Sequence, residues 1–233
     1  MKTIGIIGGM SWESTATYYR LINKEVARRL GGFHSARIVL SSVDFEEIEH
    51  MQSTGDWDTA GRALAMEATA LERAGADLLI LATNTMHKVA VSIEQAVSIP
   101  FLHIADATGE AVVARGIDTV ALLGTRYTME QDFYRGRLEG RYGLDVHVPD
   151  AGDRATVDAV IFDELVHGEV LGNSKRAYIE IIDRLVEGGA SGLILGCTEI
   201  GMLIGHDDVE VPVFDTTELH AGAAVSMAMG TPK

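Results

Sequence analysis

The chain has 233 residues, 34 of them acidic and 19 basic, for a formal charge of −15 with histidine neutral. So acidic a body repels polyphosphate and anionic lipid. With no Lys/Arg cluster denser than Arg28-Arg29 or Arg135-Gly136-Arg137, nucleic acid and membrane surfaces are excluded as expected partners. At 47% apolar and 23% charged, with four prolines, the composition is that of a chain with a packed core, and disorder is excluded as its main state.

The first residues, Met1-Lys2-Thr3-Ile4-Gly5, run straight into a strand pattern, and no apolar stretch reaches the roughly 18 residues that a membrane span needs. A soluble, cytoplasmic protein is expected. Short β-branched runs then alternate with helical stretches: Thr3–Ile7, Thr15–Leu30, Arg37–Leu40, Thr59–Arg73 and Leu78–Leu81. This is the βαβ alternation of a parallel sheet covered by helices on both faces. Gly31-Gly32 ends the first helix, Asp56 is placed to cap the second, and Ala74-Gly75-Ala76 closes it.

The order returns in the second half with a strand at Thr119–Leu123, a helix from about Met129 to Tyr142, a strand at Asp145–Val148, two helical stretches and a strand at Gly192–Leu195. The repetition extends to residues. Ala74–Thr85 aligns with Gly188–Glu199 at an offset of about 114 residues; Ile6-Ile7-Gly8 matches Leu122-Leu123-Gly124, and Ile99-Pro100-Phe101 matches Val211-Pro212-Val213, at nearly the same offset. A period this long predicts two similar α/β lobes instead of a solenoid. We expect residues 1–103 with 212–233 in the first lobe and 104–211 in the second.

The repeat makes Thr83 and Cys197 equivalent, each after the carboxyl end of a strand, the edge where open α/β sheets bind ligands. Cys197 is the only cysteine, so it cannot form an internal disulfide, and it is either small buried filling or a reacting group. A helix start at Gly196-Cys197-Thr198-Glu199 predicts a thiol pKa lowered by the helix dipole. Ala82-Thr83-Asn84-Thr85-Met86-His87 offers hydroxyls, an amide and helix-start N–H groups to a small carboxylate, or simple helix capping. A threonine hydroxyl is too weak an acid to serve as a free base at neutral pH. The turns Gly8-Gly9-Met10-Ser11 and Gly124-Thr125-Arg126-Tyr127 add amides and hydroxyls.

Gly5-Ile6-Ile7-Gly8-Gly9 lacks the spacing of a dinucleotide fingerprint, and no phosphate-binding Gly-Lys-Ser/Thr occurs. The eight histidines show no zinc spacing, and His87, four residues after Thr83, is read either as a hydrogen-bonded histidine at the rim of the site, the favoured reading, or as a catalytic group approaching the cleft. No metal and no cofactor are expected.

Four motifs, Ile6-Ile7-Gly8-Gly9-Met10-Ser11-Trp12-Glu13-Ser14-Thr15, Ala82-Thr83-Asn84-Thr85-Met86-His87, Ala121-Leu122-Leu123-Gly124-Thr125 and Gly196-Cys197-Thr198-Glu199, occur in an order that resembles the aspartate/glutamate racemase family over the whole length. The resemblance implies two pseudo-symmetric α/β lobes, each a mostly parallel sheet flanked by helices, with the active site in the cleft between them. It also implies an isomerase without pyridoxal phosphate and a homodimer. In that family two cysteines face each other across the substrate. Here Cys197 matches the one that works on the L-enantiomer and Thr83 replaces the other, a pairing that resembles the L-aspartate/glutamate-specific racemases. The expected site has Cys197 and Thr83 as the catalytic pair, with Met10, Ser11, Gln52, Asn84, Thr85, Thr125, Thr198 and Glu199 binding an amino-acid dicarboxylate.

The arginine and lysine that aspartate racemases of the family use for the distal carboxylate are not plainly present in Asp44–Gln52 or Glu164–Gly168. Gln52 is the expected hydrogen-bonding substitute, and Arg126, Lys88 or His167 the source of positive charge. Two competing expectations are a single-cysteine decarboxylase of malonates on the same fold and a non-catalytic binder of small carboxylates.

Overall fold

The structure, a computed structural model, describes residues 1–230. Its first unit comprises residues 1–104 and the segment from His220 onward; the second comprises 105–219. Unit 1 runs β1 (Ile4–Gly8), α1 (Trp12–Leu30), β2 (Ile38–Ser42), α2 (Phe45–Thr54), α3 (Trp57–Arg73), β3 (Leu78–Leu81) and α4 (Ala90–Ala96). The chain continues through α5 (Ile104–Ala114) to β4 (Thr119–Gly124), α6 (Arg126–Glu130), α7 (Arg135–Tyr142), β5 (Asp145–His147), α8 (Ala151–Asp163), α9 (Gly172–Glu187), β6 (Leu193–Gly196), α10 (Ile200–Leu203) and β7 (Val213–Asp215), and returns to unit 1 along α11 (Thr216–Met229). None of the described helices is long and apolar enough to cross a membrane.

Each unit is built on a parallel sheet with an equivalent central strand. In unit 1 the order is β2-β1-β3, and in unit 2 it is β5-β4-β6-β7. The repeat seen in the sequence extends to backbone pairing. Leu79 N–H donates to Pro100 O at 2.8 Å, and Leu193 N–H donates to Pro212 O at 2.9 Å, so the two Pro-containing segments occupy the same place beside β3 and β6. In unit 1 this pairing amounts to a single bridge, Leu79 with Phe101; in unit 2 it widens into β7.

That widening moves a boundary. Residues 212–219, placed with the first lobe by the sequence reading, lie in unit 2 because β7 pairs with β6, and the chain re-enters unit 1 only at His220. The helix expected over Met129–Tyr142 is also two helices, α6 and α7. Gln131 is extended, and Tyr134 is fully buried with its hydroxyl donating to Thr108 at 3.2 Å, so the chain turns there to seat the ring.

Burial explains the composition of the strands. β1, β3 and β6 are buried along their whole length, whereas the edge strand β2 is only partly covered. In unit 1, one face of the sheet packs on α3 through Leu64, Ala68 and Leu71, the other on α1 through Tyr18, Ile22 and Val26 and on the end of α11 through Ala221, Ala224 and Val225. In unit 2, α8 and α9 cover the sheet with Val157, Ile161, Tyr178 and Ile182. Each fully buried Leu or Ile contributes about 1.5–3 kcal/mol relative to exposure.

Several helix starts are set by single side chains. α3 begins where Asp56 accepts from Thr59 N–H at 3.1 Å. α1 begins at Trp12, three residues before the expected Thr15, because the Ser11 hydroxyl accepts from Ser14 N–H at 3.3 Å. Such caps contribute about 1 kcal/mol. Ahead of that cap, Gly9 has φ of +96°, and a Cβ there would lie 2.2 Å from Val43 O, so the turn closing β1 admits only glycine.

His220 is fully buried where α11 joins unit 1. Its Nε2–H donates to Leu102 O and its Nδ1 accepts from the Tyr18 hydroxyl, both at 2.9 Å, which fixes a neutral ring. Burial lowers its pKa from 6.5 to about 4. Below pH 6.5 the unfolded chain therefore takes up a proton that the native histidine refuses, so this contribution is intact above pH 6.5 and is lost as pH falls toward 4. We expect it to remove about 2 kcal/mol of stability by pH 5. In urea unfolding at pH 7 and pH 5, the difference between the two pH values should shrink in His220→Gln; an equal difference in both proteins contradicts the assignment.

Candidate functional site

In unit 1 the candidate residues gather where β3 ends. Beyond Leu81, Ala82 N–H still donates to Ile7 O at 2.8 Å, which continues the pairing with β1 for one residue, and Thr83 N–H folds back onto Leu81 O at 2.9 Å. The Ser14 hydroxyl from the first turn of α1 donates to Ala82 O at 3.3 Å. Thr83 is partly exposed while Asn84, Thr85, Met86 and His87 behind it are buried, so its side chain is the one offered outward. The chain then enters a short 3₁₀ segment, Thr85–Val89, instead of an α-helix.

The neighbouring candidates divide by role. Met10 is buried in the core that α3 covers, and Ser11 serves as the cap of α1. Gln52, buried in α2, directs its amide nitrogen at the Met86 sulfur at 3.0 Å. Lys88, named in the sequence as a source of charge, holds its ammonium 3.8 Å from the centre of the Trp57 ring, and burial lowers its pKa. The structure therefore brings Thr83, Asn84 and Thr85 together at one strand end with the Gln52 amide beside Met86, and engages Met10, Ser11 and Lys88 in the packing around it.

In unit 2 the corresponding edge is the paired ends of β4 and β6, where Gly124 lies opposite Gly196. A Cβ on Gly196 would sit 2.9 Å from Leu123 O, and one on Gly124 3.0 Å from Gly196 O, so two glycines allow the strands to close tightly just before the turn that carries Cys197. Thr125 then caps α6 by accepting from Thr128 N–H at 3.4 Å. Arg126 N–H donates to Asp158 at 2.7 Å, and His167 is exposed.

Cys197 is partly exposed, with Thr198 and Glu199 in the turn after it. Its thiol donates to Glu199 Oε2 at 3.0 Å. The expectation of a lowered thiol pKa is overturned here. Burial pushes the Cys197 thiol well above its usual range, and the negative charges of Glu199 and Asp158 push it further. The helix meant to lower it, α10, is a single turn of 4 residues, too short to build an appreciable dipole. Cys197 at rest is a neutral thiol with a carboxylate acceptor already in place.

Three residues that sequence reasoning passed over belong to this environment. Asp158 on α8 accepts from Arg126 N–H and adds negative charge near Cys197; an acid inside a helix gives no signal of that placement. Tyr178 is buried with its hydroxyl donating to Val157 O at 2.8 Å, and burial together with the charges of Asp158 and Glu164 raises its pKa, so it remains a phenol. Asp215, at the end of β7, accepts from Thr217 and Glu218 N–H, and burial raises its pKa; a Cβ on Gly201 would lie 2.8 Å from its Oδ2. The internal repeat carries the signal for Asp215, which aligns with His103.

The chain is similar to known proteins over nearly its whole length. Residues 7–224 match the Asp/Glu/Hydantoin racemase family. A Yersinia pestis protein provisionally assigned as an Asp/Glu racemase is 53% identical with a TM-score of 0.94, covering 98% of this chain and 100% of that one. An aspartate racemase homologue from Pyrococcus horikoshii is 38% identical with a TM-score of 0.86, again over 98% and 100%. The broad specificity amino-acid racemase RacX of Bacillus subtilis is 28% identical over 73% of each chain.

If the neutral thiol is as described, iodoacetamide should modify Cys197 slowly at pH 7–8, and Glu199→Gln should move the alkylation profile to lower pH by removing the adjacent negative charge. Rapid modification of the unmutated protein below pH 8 would contradict this. With the match spanning nearly the whole chain and the cysteine motif seated at the equivalent strand end, the chain belongs to the Asp/Glu/hydantoin racemase family.

Proposed function

We propose that the protein is a cofactor-independent amino-acid racemase acting on L-aspartate or L-glutamate, in which Cys197 removes the α-proton of the L-enantiomer and Thr83 serves the opposite face. The observation that carries this reading is the Cys197 thiol donating to the Glu199 carboxylate directly after β6, at the repeat position of Thr83 after β3. Named members of the family that this chain is similar to are racemases, and racemases are isomerases.

The chemistry follows from charge. A neutral thiol is no base, and the acids around Cys197 oppose thiolate formation until a positive group arrives. The α-ammonium of an amino acid supplies that positive charge. With it bound, Glu199 takes the thiol proton and the thiolate takes the α-proton, leaving a carbanion whose charge spreads into the α-carboxylate. Amides and hydroxyls of Asn84, Thr85, Thr125 and Thr198 are the groups we assign to that carboxylate, with Gln52 assigned to the distal one.

Inversion needs a proton on the other face. The Thr83 hydroxyl can give one and regain it from water, but it cannot begin the reaction from the D side as a free base. Turnover is therefore lopsided, faster from L than from D. Return of the proton by Cys197 itself exchanges the α-hydrogen without inversion.

Incubation with L- and D-aspartate and L- and D-glutamate in D2O, with NMR for the α-proton and chiral chromatography for configuration, tests the assignment. Exchange from an L form with D product appearing is expected. Cys197→Ser should lower both by at least about 100-fold, and Thr83→Ala should lose inversion while retaining exchange from L. No exchange with any of the four substrates would sink the proposal, and release of carbon dioxide from a malonate would replace it with the decarboxylase reading.

A further inference from the structure

His87 is buried, with 2% exposure, and its two ring nitrogens are both engaged with backbone. Nε2 accepts from Ile104 N–H at 3.1 Å, and Nδ1 lies 2.7 Å from Thr83 O. A backbone N–H can only donate, so Nε2 carries no proton; a backbone carbonyl can only accept, so Nδ1 carries one. The two contacts together select the neutral Nδ1–H tautomer and exclude both the alternative tautomer and the imidazolium. The ring is held from the sides by His103, Phe101 and His220, with centroids 4.5, 5.6 and 5.8 Å away.

These bonds join two places that matter. Ile104 N–H is among the first amides of α5, which have no partner within the helix. Thr83 O belongs to the residue proposed to serve the D face. With Thr83 N–H on Leu81 O and Thr83 O on His87, both backbone groups of Thr83 are fixed, and so is the direction in which its side chain leaves. Unit 2 has no counterpart, because the repeat position of His87 is Gly201, where a side chain would strike Asp215. The turn carrying Thr83 is braced by an imidazole from a position at which the turn carrying Cys197 is followed by glycine.

We infer that His87 is a positioning residue for Thr83: its Nδ1–H holds the Thr83 carbonyl so that the hydroxyl meets the substrate's second face. This rests on the racemase reading above. It assigns His87 to inversion specifically, leaving proton removal by Cys197 independent of it.

Asparagine and glutamine separate the two halves of the bridge. In the His87→Asn variant the amide nitrogen stands close to where Nδ1 stands and retains the bond to Thr83 O. In the His87→Gln variant the amide reaches further, toward the place of Nε2 and Ile104 N–H. The readout is the ratio of D product to α-deuterated L substrate formed from an L amino acid in D2O, with folding of each variant checked by circular dichroism.

His87→Gln is expected to lower that ratio at least about tenfold, since displacement of a reacting group by an ångström can cost more than that. His87→Asn should restore most of it, and exchange from L should persist in both. Independently, ¹⁵N-histidine NMR of the unmutated protein should show one histidine, absent from His87→Gln, protonated at Nδ1 and unprotonated at Nε2. If the unmutated protein inverts its substrate but the two variants partition it alike, or His87 carries its proton on Nε2, the positioning role is overturned while the racemase reading stands. If the unmutated protein exchanges no α-proton, both fall together.

Discussion

Ile4, Ile7, Leu78 to Leu81, Val120 to Leu123, Leu193 and Ile194 have no exposed surface, because helices or loops cover the parallel strands on both faces. An ionisable group within such a strand has nowhere to place its charge. The side chains that can do chemistry are therefore displaced to the turns beyond the carboxyl ends, and the sequence shows them there: Thr83 and Asn84 after β3, Cys197 to Glu199 after β6, Thr125 after β4. Fold and site are two consequences of one burial constraint.

The two strand ends are built alike but hold their candidate residues differently. Thr83 stands on a turn whose backbone is tied to Leu81 and to His87, with Ser14 bonded to the preceding carbonyl. Cys197 stands between a glycine strand end and a one-turn helix, with its thiol turned toward Glu199. A weak acid such as a threonine hydroxyl has to be placed accurately to be of use, whereas a thiol with an adjacent acceptor is activated by charge. The difference in support matches the difference in chemistry proposed for the two.

Strands β1 to β6, their succession along the chain and the equivalence of the halves were legible in the sequence, since buried parallel strands are short apolar runs and the motif Leu-Leu-Ile-Leu recurs as Gly-Leu-Ile-Leu before each candidate turn. The break between α6 and α7 was not, because it depends on where Tyr134 finds a hydroxyl partner on α5, a tertiary fact. The boundary at His220 was missed because β7 is only three residues long and reads like the single bridge of Phe101. The thiol's pKa reversed sign for a similar reason. A cysteine before a helix reads as dipole-stabilised, but burial of the thiol, then the orientation of Glu199 and the shortness of the helix, decide the outcome, and none of these is written in local spacing. The role of His87 lay four residues from Thr83 in plain sight, yet its second contact, Ile104, comes from another element.

The central claim is that Cys197 and Thr83 address the same α-carbon from opposite faces. A crystal structure with bound L-aspartate or a non-reacting analogue measures this directly. The account predicts the α-carbon within about 4 Å of both the Cys197 sulfur and the Thr83 hydroxyl oxygen, the reach of a near-attack arrangement, with the α-ammonium on the side of Glu199. A ligand whose α-carbon touches only one of the two would contradict it.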